Sequence, residues 1–238
     1  KGYSFETYEY ARFFNAQQPI DFVFGDVIHV PNTPSIVKSR PISEDNQNSV
    51  LLKLDKTRHF IRVLGDKPFL EKKDLMIGRG AIYQQHRLDF YNKWFGHPLC
   101  NLGSVEKNGL SKPEWLTEKM SLKAHLDYKF ILSLQGNDVA SNLKWIMSSN
   151  SIAVMPKPTI ETWFMESKLE GGKHYIEIAP DYHDLEAKLT YYIAHPEECL
   201  EILENAHQYV AQFWNKEAED LCSLMVLQKY FSLVALSK

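Results

Sequence analysis

Apolar and polar positions alternate in blocks along the middle of this chain. Between residues 73 and 178, short apolar runs are separated by stretches with helical spacing. KDLMIGRGAIY, PLCNLGSV, FILSL, SIAVM and HYIEI are short and β-prone, which predicts buried strands. QQHRLDFYNKWFG reads as a helix ended by Gly96, and SLKAHLDYK as a short helix. The stretch FILSLQGNDVASNLKWIMSSNSIAVM is the clearest unit. Its first apolar run stops at Gly136, and Asn137 and Asp138 are good helix N-caps. Val139, Leu143, Ile146 and Met147 then recur on one helical face, before a second apolar run at 151–155. Strand, tight turn, helix and strand make a βαβ unit, which predicts a parallel sheet. KPTIETWFMESKL reads as loop plus a short helix. Two amphipathic helices follow, HDLEAKLTYYIAH and PEECLEILENAHQYVAQFW. Pro196 with Glu197 and Glu198 behind it suits the start of the second. A last helix is predicted over about 218–234. The alternation from residue 73 onward predicts a Rossmann-like α/β half.

The first 70 residues pattern differently. YSFETYEYARFFNAQQ is helical and rich in aromatics, and IDFVFGD is a strand ending in an acidic turn at Asp26. HVPNTPSIVKSRPISEDNQNS carries three prolines and many polar residues, which predicts mostly loop. SVLLKLDKTRHFIRVL suits a strand followed by a partly buried segment. These pieces do not add up to a complete domain. The expected division is therefore an incomplete N-terminal half over 1–70 and an α/β domain with C-terminal helices over 71–238.

Bulk numbers narrow the classes. A chain of 238 residues that is 44% hydrophobic can bury one large core or two small ones. A net charge of −3 carries no electrostatic footprint for wholesale nucleic-acid binding. Cys100, Cys199 and Cys222 have neither metal-ligand spacing nor the even count of a disulfide framework, which implies a reducing compartment. No apolar run is long enough to span a bilayer, and no basic amphipathic membrane helix stands out. The chain begins at Lys1 rather than Met and shows no signal peptide, so preceding sequence is expected. The histidines form no zinc spacing, and there is no GxSxG elbow, P-loop or GxGxxG fingerprint.

Several residues remain as candidates for chemistry, each with a plain structural alternative. Open α/β sheets bind ligands at the carboxyl ends of their strands, and free N–H groups at a helix start favour anions. The turn after residue 134 is thus either a nucleotide site or a packing unit. Arg79 lies at a strand end and Arg87 in the first turns of the next helix. Two guanidinium groups there suit a diphosphate; the alternative is a surface ion pair, such as Arg87 with Asp89. Lys38, Ser39 and Arg40 lie in a Pro-bounded loop, where functional residues tend to sit, or else form a solvated loop. Asp26 suits either a general base on a hydroxyl or a turn-capping carboxylate after Gly25. Glu161 and Glu166 flank TWFM and could accept from ribose hydroxyls or cap a helix.

These residues carry a resemblance. VKSRPI, NSVLLKLDKTRHF, KDLMIGRG, HPLC, YKFILSLQGNDVASNLKWIMSSNSIAVMPKPTIETWFMES and the HYIEI…DLEAKLTYYIAHPEE tail resemble the lipopolysaccharide A protein group. That group lies in glycosyltransferase family 90, with fungal capsule-associated proteins and animal protein O-glucosyltransferases. The resemblance runs from about residue 20 to the end, and GNDVASNLKW with its flanks is its most specific part. It implies a GT-B-like fold, a Rossmann-like C-terminal nucleotide-sugar domain with an incomplete N-terminal, acceptor-side half. It implies inverting transfer from a UDP-sugar, with the nucleotide sugar as substrate, no cofactor and no essential metal. The donor motif falls on Arg79 and Gly80, with its following arginine on Arg87. The donor-binding turn falls on Gly136, Asn137, Asp138, Val139, Ala140, Ser141 and Asn142, and Glu161 is the expected ribose contact. The animal enzymes carry an arginine where this chain has Asn142, which leaves Lys144 as a substitute cation. The catalytic aspartate falls on Asp26, and Lys38, Ser39 and Arg40 are acceptor or phosphate candidates. By likeness to bacterial members, the acceptor is a glycan or lipid-linked saccharide of lipopolysaccharide core or O-antigen synthesis. The enzyme would be cytoplasmic and peripheral at the inner face of the inner membrane. Two other classes stay open: a nucleotide-sugar epimerase or dehydrogenase, and a non-catalytic carbohydrate- or nucleotide-binding module of the same fold.

Overall fold

The chain starts with helix α1 (Gly2–Ala11), followed by strands β1 (Phe22–Val23), β2 (Ser35–Val37), β3 (Ser39–Pro41) and β4 (Ser49–Leu51) and the short helix α2 (Lys56–His59). Next come β5 (Lys73–Gly80), α3 (Gln85–Trp94), β6 (Cys100–Ser104), α4 (Leu122–His125), β7 (Tyr128–Leu132), α5 (Leu143–Met147) and β8 (Ile152–Met155). The chain ends with β9 (Ile160–Thr162), β10 (Ile176–Glu177), α6 (Leu185–Ala194), α7 (Pro196–Ala211) and α8 (Lys216–Leu236). The structure is a computed structural model and describes residues 2–15, 17–107 and 109–236.

Five strands form one sheet in the order β10-β8-β7-β5-β6, every neighbouring pair parallel. Sequential numbering of these five strands gives the doubly wound order 2-1-3-4-5. The chain leaves β5 to build β6 on one side, then returns to build β7 on the other. The carboxyl ends of β5 and β7 thus form a topological switch point, where such sheets hold their ligands.

The sheet is buried on both faces, which explains why its strands read as continuous apolar runs. Ile77, Ile131 and Ala153 face a core shared with Ile146, Met147, Ala206 and Val210. Met76, Phe130, Ile152 and Val154 face the opposite core, with Phe90, Trp94, Leu185 and Leu189. Strand period 2 and helix period 3.6 therefore meet in a three-layer α/β/α stack. At Gly78 a side chain would collide with its neighbours: a methyl group there would stand 2.8 Å from Leu102 Cδ2 and 3.0 Å from Leu132 Cδ2. Gly96, at φ +82°, ends α3 in the left-handed conformation that favours glycine.

Two predicted features differ. The Pro-bounded stretch holds two strands, not loop alone: β2 joins a parallel β1-β2-β4 sheet, and β3 pairs antiparallel with β9. Ser35–Val37 is too short to show a period, yet all three residues are buried. The helix expected from Asn137 begins only at Leu143, with Asn142 as its N-cap. Asp138 does not cap it, because its carboxylate is drawn to Lys38. The first 70 residues also pack onto the rest. Tyr10 Oη donates to Asp220 at 2.8 Å, and the Phe14 and Phe231 rings lie 4.9 Å apart.

Phe130 is fully buried on the central strand. Phe130→Ala is expected to cost about 3–5 kcal/mol, read as a lower urea midpoint at unchanged slope.

Candidate active site

The switch point opens into a cavity of about 250 Å³. The end of β5 supplies Gly78, Arg79 and Gly80, α3 supplies Arg87 and Tyr91, and the far wall is Leu132, Leu134, Ser141 and Asn142. A second cavity of about 400 Å³ shares Leu134 and lies toward the end of β8. Its lining is more apolar, including Val139, Leu143, Met155, Pro156, Pro158 and Tyr182, with His86, Ser133, Gln135, Thr159, Lys157 and Glu166 as polar and charged groups. Residues 136–142 run between the two and are tightened by a Gly136 N–H to Val139 carbonyl bond of 3.2 Å.

Arg87 does not form the surface pair with Asp89. Its Nε donates to the Gln135 carbonyl at 3.0 Å, and its two terminal nitrogens donate to Ala81 at 2.8 Å and Leu134 at 2.9 Å. Asp89 instead accepts from Gln85. Arg79 donates to the carbonyls of Gly78 and Asn101 at 2.9 and 2.8 Å and to Asn101 Oδ1 at 2.7 Å, while its Nε is buried without a partner. Burial pulls both guanidinium pKa values below their usual range. Among the described residues, neither has a carboxylate partner. Two cations thus line one cavity with only neutral oxygens to compensate them. That is an electrostatic setting for an anion.

Asp26 sits at the end of the β1 segment with its side chain 30% exposed. Lys38 Nζ lies 2.6 Å from its Oδ1, and Asn137 Nδ2 donates to its Oδ2 at 3.1 Å. Burial works to raise its pKa, but the hydrogen bonds from Lys38 and Asn137 outweigh it and hold the carboxyl below its ordinary range. Lys38 also contacts Asp138 Oδ2 at 2.7 Å and is almost wholly buried. Burial works to lower the Lys38 pKa, and its two carboxylates outweigh that and raise it. So the structure brings Asp26, Lys38, Asn137 and Asp138 into one cluster, from segments 111 residues apart.

Other candidates go elsewhere. Ser39 is fully buried and exchanges hydrogen bonds with Val27, donating to its carbonyl at 3.0 Å and accepting from its N–H at 3.1 Å. Arg40 binds Glu161 Oε1 at 2.8 Å across the β3–β9 ribbon, and Glu161 also accepts from Ser167. Glu161 lines neither cavity, while Glu166 lines the larger one. Lys144 is fully buried and paired with Glu166 at 2.8 Å, so its ammonium does not replace the arginine absent at Asn142. Asn142 itself donates to the Leu132 carbonyl at 3.0 Å and accepts from Ser133 Oγ at 3.1 Å. Backbone N–H groups of residues 137–139 are not at a helix start, so no helix dipole gathers them.

Sequence reasoning missed the carbonyl ends at Leu134 and Gln135, which hold Arg87, and missed His86, whose Nε2 lies 2.8 Å from the Gln135 carbonyl. Their adjacency to the strand end was the available signal. It also missed His59, buried without a hydrogen-bond partner on either ring nitrogen. Burial, reinforced by Lys144 and Lys38, pulls its pKa down to about 3. Among the described residues, no group of three or more His, Cys, Asp or Glu is placed to hold a metal ion, and no helix is long and apolar enough to cross a membrane.

Fold and cavity together define an α/β protein with two arginines, unpaired by any carboxylate among the described residues, at the switch point of a parallel sheet. The family model described as Glycosyl transferase family 90 matches residues 83–237. O-glucosyltransferase LpsA of Dichelobacter nodosus is 44% identical over 232 residues, covering 98% of this chain and 73% of that protein. The chain belongs to glycosyl transferase family 90.

The unfolded chain protonates His59 near the ordinary value of about 6.5, whereas the folded chain resists until about 3. The unfolded state therefore binds more protons between those values, and stability falls as pH drops through the window. Denaturant midpoints at about pH 7 and about pH 4.5 are expected to differ less in His59→Leu than in the wild type.

Proposed function

We propose that this chain is an inverting glycosyltransferase of GT-B-like architecture that moves a sugar from a UDP-sugar to a hydroxyl of a glycan or lipid-linked saccharide. The observation that carries the proposal is the pair of guanidinium groups, Arg79 and Arg87, that line the switch-point cavity without a carboxylate partner. In a family 90 chain, a sugar diphosphate is the anion of matching charge and shape. The larger, more apolar cavity beside it has room for a nucleoside.

The acceptor oxygen attacks the anomeric carbon from the face opposite the diphosphate. The new C–O bond forms as the bond to the β-phosphate oxygen breaks, and its electron pair leaves with UDP. Asp26 takes the acceptor's proton. Its depressed pKa keeps it ionised at neutral pH but makes it a weak base. That suffices because the hydroxyl becomes strongly acidic only as its bond to carbon forms. Negative charge grows on the diphosphate in the same step, so Arg79 and Arg87 stabilise the transition state more than the ground state. With fixed cations at that edge, the transfer is proposed to run without an essential metal.

Because the relative is called an O-glucosyltransferase, UDP-glucose is the first donor to test. An acceptor in lipopolysaccharide core or O-antigen synthesis, and peripheral attachment at the cytoplasmic face of the inner membrane, belong to the same proposal.

Calorimetric titration with UDP, with and without EDTA, tests the donor site. Binding unaffected by EDTA is expected, weakened at least about tenfold in Arg87→Ala, equivalent to about 1.4 kcal/mol. Because that change also releases three carbonyls, a melting curve of the variant accompanies it. No binding to the folded wild type would sink the reading. In a second experiment, Asp26→Asn is expected to lose transfer by about 10²-fold or more while keeping UDP affinity; matched loss of both would count against Asp26 as base.

A further inference from the structure

Asp26 is not held by its own segment. Its Oδ1 meets Lys38 Nζ at 2.6 Å, and that ammonium meets Asp138 Oδ2 at 2.7 Å. Its Oδ2 accepts from Asn137 at 3.1 Å, and Asn137 Oδ1 accepts from Gln84 at 2.8 Å. Both carboxylate oxygens are thus tied to the loop over 136–142, one directly and one through Lys38. Within the ion triad, Lys38 and Asp138 are sealed, with side chains 2% and 4% exposed, whereas Asp26 is 30% exposed. Only Asp26 is open to a substrate's proton.

We propose that Lys38 is a positioning residue that couples the nucleotide-facing loop to the base, through one buried ammonium shared by Asp138 and Asp26. The inference rests on the reading of Asp26 as base and deepens it. A displacement of residues 136–142 by bound nucleotide moves Asp138 and Asn137, and so changes how firmly the ammonium and the amide hold Asp26. Occupancy of the donor site is in this way transmitted to the basicity of the group that activates the acceptor.

The other groups facing Asp26 do not supply this coupling. Arg58 on α2 is exposed and spends its charge on Asp55 at 3.1 Å. His59, also on α2, stays neutral at neutral pH because burial pulls its pKa to about 3. Tyr3 on α1 has its pKa raised by burial and stays neutral too. Among the described residues, Lys38 is the one buried cation in contact with the carboxylate.

The test is a carboxyl ¹³C NMR titration of protein labelled at aspartate, with the Asp26 signal assigned by its loss in Asp26→Asn. Lys38→Met alone leaves Asp138 buried and unpaired, which is strongly destabilising, so it is combined with Asp138→Asn, which removes both charges together. In the double variant the Asp26 pKa is expected to rise by about 1 to 3 pH units, while Lys38→Arg keeps it low. Saturating UDP is expected to shift the Asp26 titration in the wild type and not in the double variant. An unchanged Asp26 pKa in the folded double variant overturns the proposal, as does a UDP-induced shift that survives there. The base assignment fails separately, if Asp26→Asn retains transfer. If UDP does not bind, the nucleotide reading fails, and the UDP-free comparison still decides the part played by Lys38.

Discussion

The Arg87 guanidinium gives three hydrogen bonds to the carbonyl oxygens of Ala81, Leu134 and Gln135. Those carbonyls belong to the two strand ends that part at the switch point, and among the described residues no other side chain bonds to both ends. Hydrogen bonds from a charged donor are worth roughly 1.5–3 kcal/mol each, enough to fix the crevice even though burial opposes the charge. The carbonyls satisfy donors but bring no negative charge. The sheet edge is therefore geometrically closed and electrostatically open, and Arg79, tied in the same manner to Asn101, repeats the arrangement. The sugar diphosphate proposed for the site follows from that residual charge.

The cluster around Asp26 follows the opposite logic. There two carboxylates enclose one ammonium, and the second oxygen of Asp26 accepts from Asn137. Such a group is held still and held ionised. The cations lining the cavity lack a counter-charge among the described residues, whereas the acid held on the 136–142 loop has one; in the proposed reaction these are separate tasks, receiving a leaving group's charge and accepting a proton at a fixed place. Lys144 with Glu166 and Arg40 with Glu161 show what charged pairs do elsewhere in this chain, where each charge meets its opposite and joins two elements.

Much of the sheet was legible because its strands are buried on both faces and bounded by turn residues. KDLMIGRG, FILSL and SIAVM each correspond to a strand, and the positions of Arg79 at a strand end and Arg87 in the first turns of the next helix could be read without coordinates. Residues whose meaning depends on distant partners were not legible. Nothing local to Glu161 shows that its carboxylate meets Arg40, 121 positions away. Nothing local to Asp138 shows that Lys38 draws it out of a helix cap, so the helix was placed several residues too early. Ser35–Val37 and Ser39–Pro41 escaped because three-residue strands between prolines show no period and take their pairing from elsewhere. The division at residue 70 rested on where the alternation of strands and helices begins, and the β3–β9 ribbon and the contacts of α1 and Phe14 with α8 both cross it.

That ribbon bears on how the protein reaches its native state. Pairing Ser39 with Thr162 and Arg40 with Glu161 closes a loop of more than a hundred residues. The entropy of closing so long a loop must be met before the ribbon's few hydrogen bonds repay it. The five-stranded sheet, by contrast, assembles from strands close in sequence. On this account the switch-point cavity is complete before Asp26 is carried into place beside it. The proposed transfer activity is then the last property acquired during folding, and the first forfeited when the chain begins to open.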